Sequence, residues 1–247
     1  MKKKLLMRLA AAALAVGMCL SSAGAVKADS YYINDLGEDE YYQRLEEYQN
    51  RSGPYVDVST SDWYCEAIEA CKAAGYMNGY QDGTFRPKNK ITRAECAAIL
   101  SRIKSSGAQI YGVYIFSDIS SDKWYANAVN DVGEVMGGID VLTSNNNITN
   151  PDIALFHPNA MCTRIDFCQG IPNAIDYVNS GFYDGTTHYF TDYKKMSDYE
   201  LWAISALYNA GIINGNPDGS FAPNSTITRA EVAQILYNYE LRVWLHH

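Results

Sequence analysis

The sequence is short of positive charge. It contains 20 lysines and arginines against 28 aspartates and glutamates, a formal net charge of −8 at pH 7. Five of the basic residues lie within residues 1–28, where there is no acidic residue, so removing that stretch changes the charge from −8 to −13. Non-specific nucleic-acid binding depends on lysine and arginine side chains that neutralise phosphates. We therefore expect no nucleic-acid partner.

Long hydrophobic runs are also scarce. The longest, residues 9–20, follows a lysine-rich start and precedes small residues that end at Ala28. At about 12 residues it is shorter than the roughly 20 that span a bilayer, and the three-part layout is that of a secretory signal peptide. We predict a signal peptide over 1–28, cleaved after Ala25 or Ala28, and a secreted protein with no integral membrane segment once the signal is cleaved.

The number of cysteines after the predicted signal peptide is odd. Five remain after residue 28, and they are Cys65, Cys71, Cys96, Cys162 and Cys168. An odd number cannot all pair within one chain, no Cys-x-x-Cys occurs, and the four histidines are not spaced with the cysteines as zinc ligands are. We predict buried thiols that behave as small apolar side chains, and no metal or cofactor.

What the sequence does contain is an internal repeat. Residues 75–95 read GYMNGYQDGTFRPKNKITRAE and residues 211–231 read GIINGNPDGSFAPNSTITRAE, at one offset of 136. A worn middle copy opens at Phe116 and has extra residues around 143–150, which predict an Asn-rich surface loop.

The three copies divide most of the chain between them. We predict copies over 54–106, 107–180 and 181–247, after an acidic, tyrosine-rich segment over 29–53. That segment is either a helix capped by Asp35 and Glu38 or a solvated spacer.

Each copy predicts a helix, a glycine-rich turn and a second helix, because apolar residues recur every three to four positions. Aspartates suited to an N-cap precede the first helices, namely Asp62, Asp122 and Asp198. Gly75 and Gly211 are placed to end two of these helices. Capping boxes are predicted to open the second helices of two copies and pair Thr92 with Glu95 and Thr228 with Glu231. In the middle copy Thr163 and Asp166 stand at the same motif positions, with aspartate in place of glutamate.

The middle copy departs from this pattern. Gly170 and Pro172 fall within its second helix, which should therefore end early or kink. The cysteines replace aliphatic residues of the other copies, as Cys96 does Val232, which favours burial. One helix pair cannot bury its own apolar stripe, so the copies should pack together as one all-α domain over about 54–247.

The repeat resembles the S-layer homology repeat. Copies one and three match it nearly throughout, and copy two matches at Phe116, Asp118, Trp124, Phe156, Pro158, Thr163 and Arg164. The resemblance covers about four fifths of the chain. It implies a pseudo-threefold helical domain that binds secondary cell-wall polymer, typically a pyruvylated glycan attached to peptidoglycan, and so anchors an exported protein at the cell surface.

The resemblance also implies binding residues. It places the arginine of Thr-Arg-Ala-Glu in a groove between repeats, which nominates Arg93, Arg164 and Arg229 as contacts to an acidic sugar. A guanidinium offers paired donors that match a carboxylate. Rings that can stack on sugar are provided by Trp63, Trp124 and Tyr199, and close ligand approach is allowed by the turn glycines Gly79, Gly83, Gly215 and Gly219.

Each of these features has a structural alternative. The Thr–Glu pairs are explained as helix caps. The glycines are explained as turn formers, together with the Asp-Gly pairs Asp82-Gly83 and Asp218-Gly219. The tryptophans can instead pack between repeats. The arginines are harder to explain structurally, because a cap needs only the threonine and the acid.

Other functions are less well supported. The run Asn214-x-Asn216-x-Asp218 resembles the start of a calcium loop, but Ser225 stands where the twelfth position requires a glutamate. No catalytic motif is present, so we predict a protein that is not an enzyme. The main alternative is a structural S-layer or adhesive protein that uses the same fold for protein contacts, with the acidic segment recruiting a surface-protein partner.

Overall fold

The computed structural model describes residues 53–104, 115–137, 140–141, 153–174 and 189–245. The predicted signal peptide, the acidic segment up to residue 52 and the Asn-rich loop lie outside the described residues. The chain divides into two compact units, the first ending at Pro87 and the second beginning at Lys88. Within the described ranges the structure is mostly helical, as predicted, and has no helix long and apolar enough to cross a membrane.

The first unit contains helix α1, Cys65–Ala74. The helices of the second unit are α2, Arg93–Ile103; α3, Ala126–Val132; α4, Arg164–Cys168; α5, Ile171–Ala174; α6, Asp198–Asn209; and α7, Arg229–Leu245. Its strands are β1, Ile115–Phe116; β2, Asp140–Val141; and β3, Ile153–Leu155. Short 3₁₀ turns occupy Gly133–Val135 and Tyr193–Lys195.

Local sequence explains most helix ends. A capping box forms in all three copies, at Thr92, Thr163 and Thr228. The threonine hydroxyl accepts a hydrogen bond from the backbone N–H of the acidic residue three positions later. The carboxylate of that residue accepts one from the backbone N–H of the threonine. Gly75 follows α1 in the left-handed conformation with φ 78°, and Gly211 follows α6 with φ 68°. These ends confirm the predicted boxes at Thr92 and Thr228 and the predicted glycine ends.

The predicted N-caps of the first helices were wrong, although each helix begins within four residues of the aspartate. Asp62 and Asp122 lie ahead of α1 and α3 in turns, where their carboxylates accept hydrogen bonds from Ser59 and Ser120. Asp198 is the first residue of α6, and the cap is the preceding Ser197 in a box with Glu200. Because the aspartates bond within the turns, they do not reach the helix N-termini.

The segments before the three capping boxes meet in a closed ring of backbone hydrogen bonds. The N–H of Ile91 donates to the carbonyl of Ile227 (3.3 Å), that of Ile227 to Cys162 (3.0 Å), and that of Cys162 to Ile91 (2.9 Å). Single β-bridges flank the ring and also join the segments pairwise. The three side chains are buried, so equivalent residues of all three copies share one core.

The middle copy contains a three-stranded sheet that the sequence analysis did not predict. Strand β3 pairs in parallel with β1 and antiparallel with β2. The strands β2 and β3 lie on either side of the extra residues of this copy. The insertion therefore replaces the glycine turn of the other copies with paired strands.

The second helix of the middle copy is broken, as predicted. Helix α4 ends at Cys168, and α5 begins at Ile171 after a turn at Gln169–Gly170. Pro172 is the second residue of α5, where its missing N–H costs no bond within the helix. Proline is thus accommodated by starting a new helix.

All five cysteines are buried thiols, which confirms the prediction. Burial raises the pKa of Cys168 to about 12 and that of Cys96 well above its usual range. A raised pKa disfavours the reactive thiolate. The thiols therefore act as core side chains.

Candidate ligand-binding site

Arg93, the first residue of α2, ties the first copy to the second. It is 3% exposed. Its Nε donates to the carbonyl of Phe156 (2.7 Å), and the guanidinium lies over the Phe156 ring, 4.6 Å from its centroid. Its Nη1 is 3.1 Å from Oδ2 of Asp166, the capping acid of the middle copy. This predicted binding residue is thus held in a buried ion pair.

Arg164, the first residue of α4, repeats this geometry one copy along. Its guanidinium lies 4.8 Å from the Phe221 centroid, and Nη2 donates to the carbonyl of Asn214 (2.8 Å). The residue is half-buried. Within the described part of the chain it makes no ion pair shorter than 4.0 Å. Its charge is therefore the more accessible of the two.

Arg229 is the first residue of α7 and is 7% exposed. The three predicted arginines therefore occupy equivalent helix positions but differ in burial. Arg164, from the most worn copy, presents the most surface to solvent.

The three predicted stacking residues are exposed. Trp63 is 54% exposed, Trp124 66% and Tyr199 47%. The tryptophan rings meet the following tyrosines edge to face, at centroid distances of 5.1 Å and 5.3 Å. Tyr199 packs on Trp202 and accepts a hydrogen bond from the Asn173 amide. Burial of these aromatics is incomplete in every copy, so ring surface remains open for stacking.

The glycines Gly79 and Gly215 have a packing role. A Cβ on Gly79 would lie 2.1 Å from the Tyr55 ring, and one on Gly215 would lie 2.7 Å from the Phe190 ring. These aromatics open the same copies as the glycines. The space above each glycine is thus filled by the protein's own side chain, which favours the structural interpretation.

The Asp-Gly pairs form tight turns. Gly83 and Gly219 both have φ 80°, a conformation that suits glycine. The Asp82 carboxylate accepts hydrogen bonds from the N–H and hydroxyl of Thr84, which, with Arg86, lower the pKa of Asp82 to about 2. Asp218 accepts the same two bonds from Ser220, which lower its pKa.

Metal ligation has no support in the described ranges. They contain no group of three or more histidine, cysteine, aspartate or glutamate side chains placed to hold a metal ion. Asp218, the acid of the calcium-like run, directs Oδ1 to Ser220. The geometry there is that of a side-chain-stabilised turn.

Three aspartates have a role that sequence reasoning missed. The carboxylates of Asp57, Asp118 and Asp192 each accept two consecutive backbone N–H groups, at 2.7–3.0 Å. In each pair the first donor is the buried phenylalanine, and the second is the residue before proline: Arg86, His157 or Ala222, with φ of 57°, 57° and 58°. The recurring aromatic-x-Asp and Phe-x-Pro motifs were the available signal.

Comparisons with known proteins agree with the repeat. The family model of the S-layer homology domain matches residues 54–97 and 189–233, in the first and third copies. The chain is 30% identical over 192 residues to the exoglucanase XynX of Acetivibrio thermocellus, covering 76% of this chain and 16% of that protein.

Two further relatives are similar over comparable lengths. One is the cellulosome-anchoring protein of A. thermocellus, with 30% identity over 66% of this chain and 35% of that protein. The other is the surface-layer 125 kDa protein of Lysinibacillus sphaericus, with 27% identity over 69% of this chain and 13% of that protein. The chain thus aligns with about a third or less of each of these proteins.

Proposed function

Because this chain is an S-layer homology domain protein, we propose that it attaches itself or a partner to the cell wall by binding secondary cell-wall polymer. Its relatives include a cellulosome-anchoring protein and surface-layer proteins, so it acts at the cell surface. The observation that carries the proposal is the exposed aromatic at the same position of every copy, Trp63, Trp124 and Tyr199. An exposed ring that recurs at one position of every copy offers each copy a stacking face for a sugar.

The binding domain has pseudo-threefold symmetry. The hydrogen-bond ring of Ile91, Cys162 and Ile227 supports this, because each copy donates once and accepts once. The stacking of Arg93 on Phe156 is repeated by Arg164 on Phe221. Both contacts join one copy to the next, which places an arginine at each of these junctions.

The ligand carries a carboxylate, as a pyruvylated sugar does. An arginine at a junction supplies paired donors for that group, and an exposed ring supplies a stacking face for the sugar. Since the chain without residues 1–28 has a formal net charge of −13, long-range electrostatic attraction to an acidic polymer is absent. Recognition therefore depends on local contacts, with modest sensitivity to salt beyond them.

The protein is non-catalytic. Several relatives are enzymes, including the exoglucanase, but only 16% of that enzyme aligns with this chain. The acids of the repeats are engaged elsewhere: Glu95, Asp166 and Glu231 cap helices, and Asp82 and Asp218 close turns. These carboxylates serve the fold.

Co-sedimentation of the mature protein with purified wall sacculi tests the proposal. We expect binding to intact sacculi and its loss after the secondary polymer is removed by acid. Replacing Trp63, Trp124 and Tyr199 together by alanine should release the protein, whereas Tyr80→Ala, at another exposed ring, should not. Equal binding to stripped sacculi would refute polymer binding, and binding only to other proteins of the surface would favour the adhesive alternative.

A further inference from the structure

We infer that a cleft beside Lys72 in copy one is the docking site for the acidic, tyrosine-rich segment 29–52 of the same chain. The cleft lies within the first unit, and Gly53, one of its lining residues, follows the segment directly. The inference goes beyond the proposed function, because it concerns a contact within this chain and not the wall polymer.

The cleft combines apolar walls with one cation. It has a volume of about 520 Å³, and its lining includes Pro54, Tyr55 and Val56. Val56 is 82% exposed. The ammonium of Lys72, in the last turn of α1, lies 4.7 Å from the centroid of the Tyr55 ring. Among the residues that the structure describes, no carboxylate lies within 4.0 Å of this ammonium. The cleft therefore suits an occupant that is both apolar and acidic.

Copy three fills the corresponding space with its own rings. Tyr208 packs edge to face on Phe190, with 5.3 Å between the ring centroids. Tyr189 packs on Tyr208 at 4.5 Å. Both tyrosines are 37% exposed, so the pair lies at the surface of that copy. An aromatic ring is therefore a side chain that this position of the repeat accommodates.

Copy one lacks both tyrosines. Pro54 precedes the first aromatic residue of copy one, where copy three has Tyr189, and Lys72 stands where copy three has Tyr208. Neither Pro54 nor Lys72 supplies a ring, so the space remains open as the cleft. A tyrosine from outside the repeat can take the place of Tyr189.

The segment 29–52 has the composition that the cleft requires. It contains seven acidic residues, two arginines and five tyrosines. Its rings match the space that Tyr189 fills in copy three, and its carboxylates match the ammonium of Lys72.

The end of the segment is fixed beside the cleft. A Cβ on Gly53 would lie 1.7 Å from the carbonyl oxygen of Val58, so the backbone at Gly53 is pressed against another lining residue. Because segment and cleft are joined in this way, docking is intramolecular and has a high effective concentration. Contacts that are individually weak are then sufficient.

Cross-linking of the mature protein with a water-soluble carbodiimide identifies the occupant. The carbodiimide activates a carboxyl group, and the Lys72 amine then forms an amide bond while the carbodiimide leaves as a urea. We expect an amide between Lys72 and an acidic residue of 29–52, detected by mass spectrometry. Mixing isotope-labelled with unlabelled protein shows whether the two linked residues belong to one chain.

Trypsin cleavage at Arg44 and Arg51, both within the segment, measures docking independently. We expect Lys72→Glu to speed this cleavage about threefold or more, because repulsion replaces an ion pair, with little change in Tm. Pro54→Tyr combined with Lys72→Tyr rebuilds the ring pair of copy three and should also speed cleavage. Lys123→Glu reverses a half-exposed charge outside the first unit; it is the matched control and should be cleaved as the wild type is.

Three results would overturn the inference. The first is that Lys72 forms no cross-link to residues 29–52, and the second is that it forms such links only between chains, which would place a second copy in the cleft. The third is that Lys72→Glu is cleaved at the same rate as Lys123→Glu. None of these measurements uses sacculi, so failure of this inference is distinguishable from failure of the proposed function.

Discussion

Loss of the Asp192 carboxylate should destabilise the third copy. Its Oδ1 accepts the N–H of Phe221 (2.9 Å) and its Oδ2 that of Ala222 (3.0 Å). Phe221 is a core residue, and Ala222 has φ 58°, which is unfavourable for a residue with a Cβ. The carboxylate therefore holds the backbone in a conformation that it would otherwise leave.

The size of the effect follows from these two bonds. A hydrogen bond to a charged group contributes about 1.5–3 kcal/mol. Because Asp192 is half-buried, water can satisfy part of the exposed donor, so Asp192→Ala should cost about 2–4 kcal/mol. Asp192→Asn keeps one acceptor and should cost about half as much. Ala222→Gly removes the left-handed strain but adds unfolded-state entropy, for a net gain of about 0.5–1 kcal/mol.

Urea unfolding of the mature protein, followed by circular dichroism and tryptophan fluorescence, measures these differences. Asp218→Ala is the control, because it also removes a carboxylate that accepts two hydrogen bonds, but in an exposed turn. Its loss should be clearly smaller. Two results would show that the carboxylate does not hold this backbone. One is a loss of stability in Asp192→Ala no larger than that in Asp218→Ala, and the other is a loss of stability in Ala222→Gly.

Two further predictions concern titratable groups. The Asp82 carboxyl should titrate near pH 2 in carbon-detected NMR, because bonds from Thr84 and Arg86 favour its charged form. Since this folded-state pKa is below the unfolded value, about 3.9, its contribution to stability is complete above that value and lost as the pH falls towards 2; a midpoint near 4 contradicts this. The five thiols should resist iodoacetamide at pH 8 until the protein is denatured, because they are buried; labelling of native protein, detected by mass spectrometry, contradicts this.

The helix pairs, the caps of the second helices and the buried apolar faces were predicted from the sequence because they depend on residues close together along the chain. The capping boxes at Thr92 and Thr228 need only a residue three positions away. Gly75 ends α1 through its own backbone conformation. The break at Gly170 reflects proline chemistry, which does not depend on neighbouring elements.

What the sequence did not predict depends on contacts between distant residues. Asp118 accepts hydrogen bonds from the N–H groups of Phe156 and His157, which the insertion separates from it, so the two recurring motifs show no sign in the sequence that they pair with each other. The same holds for the N-caps of α1 and α3, which are set by turns. Gly215 looked available for ligand approach, but the Phe190 ring fills that space.

The arginines show why a repeated motif does not define a repeated site. Arg93 and Arg164 have the same position and both stack on a phenylalanine of the next copy. Their environments differ because of the acid that the next copy supplies. Asp166 pairs with Arg93, whereas Glu231 is bonded to Thr228. The availability of an arginine is therefore decided by the copy that follows it. Asp166 of the middle copy closes the junction before it, whereas Glu231 of the third copy leaves Arg164 accessible.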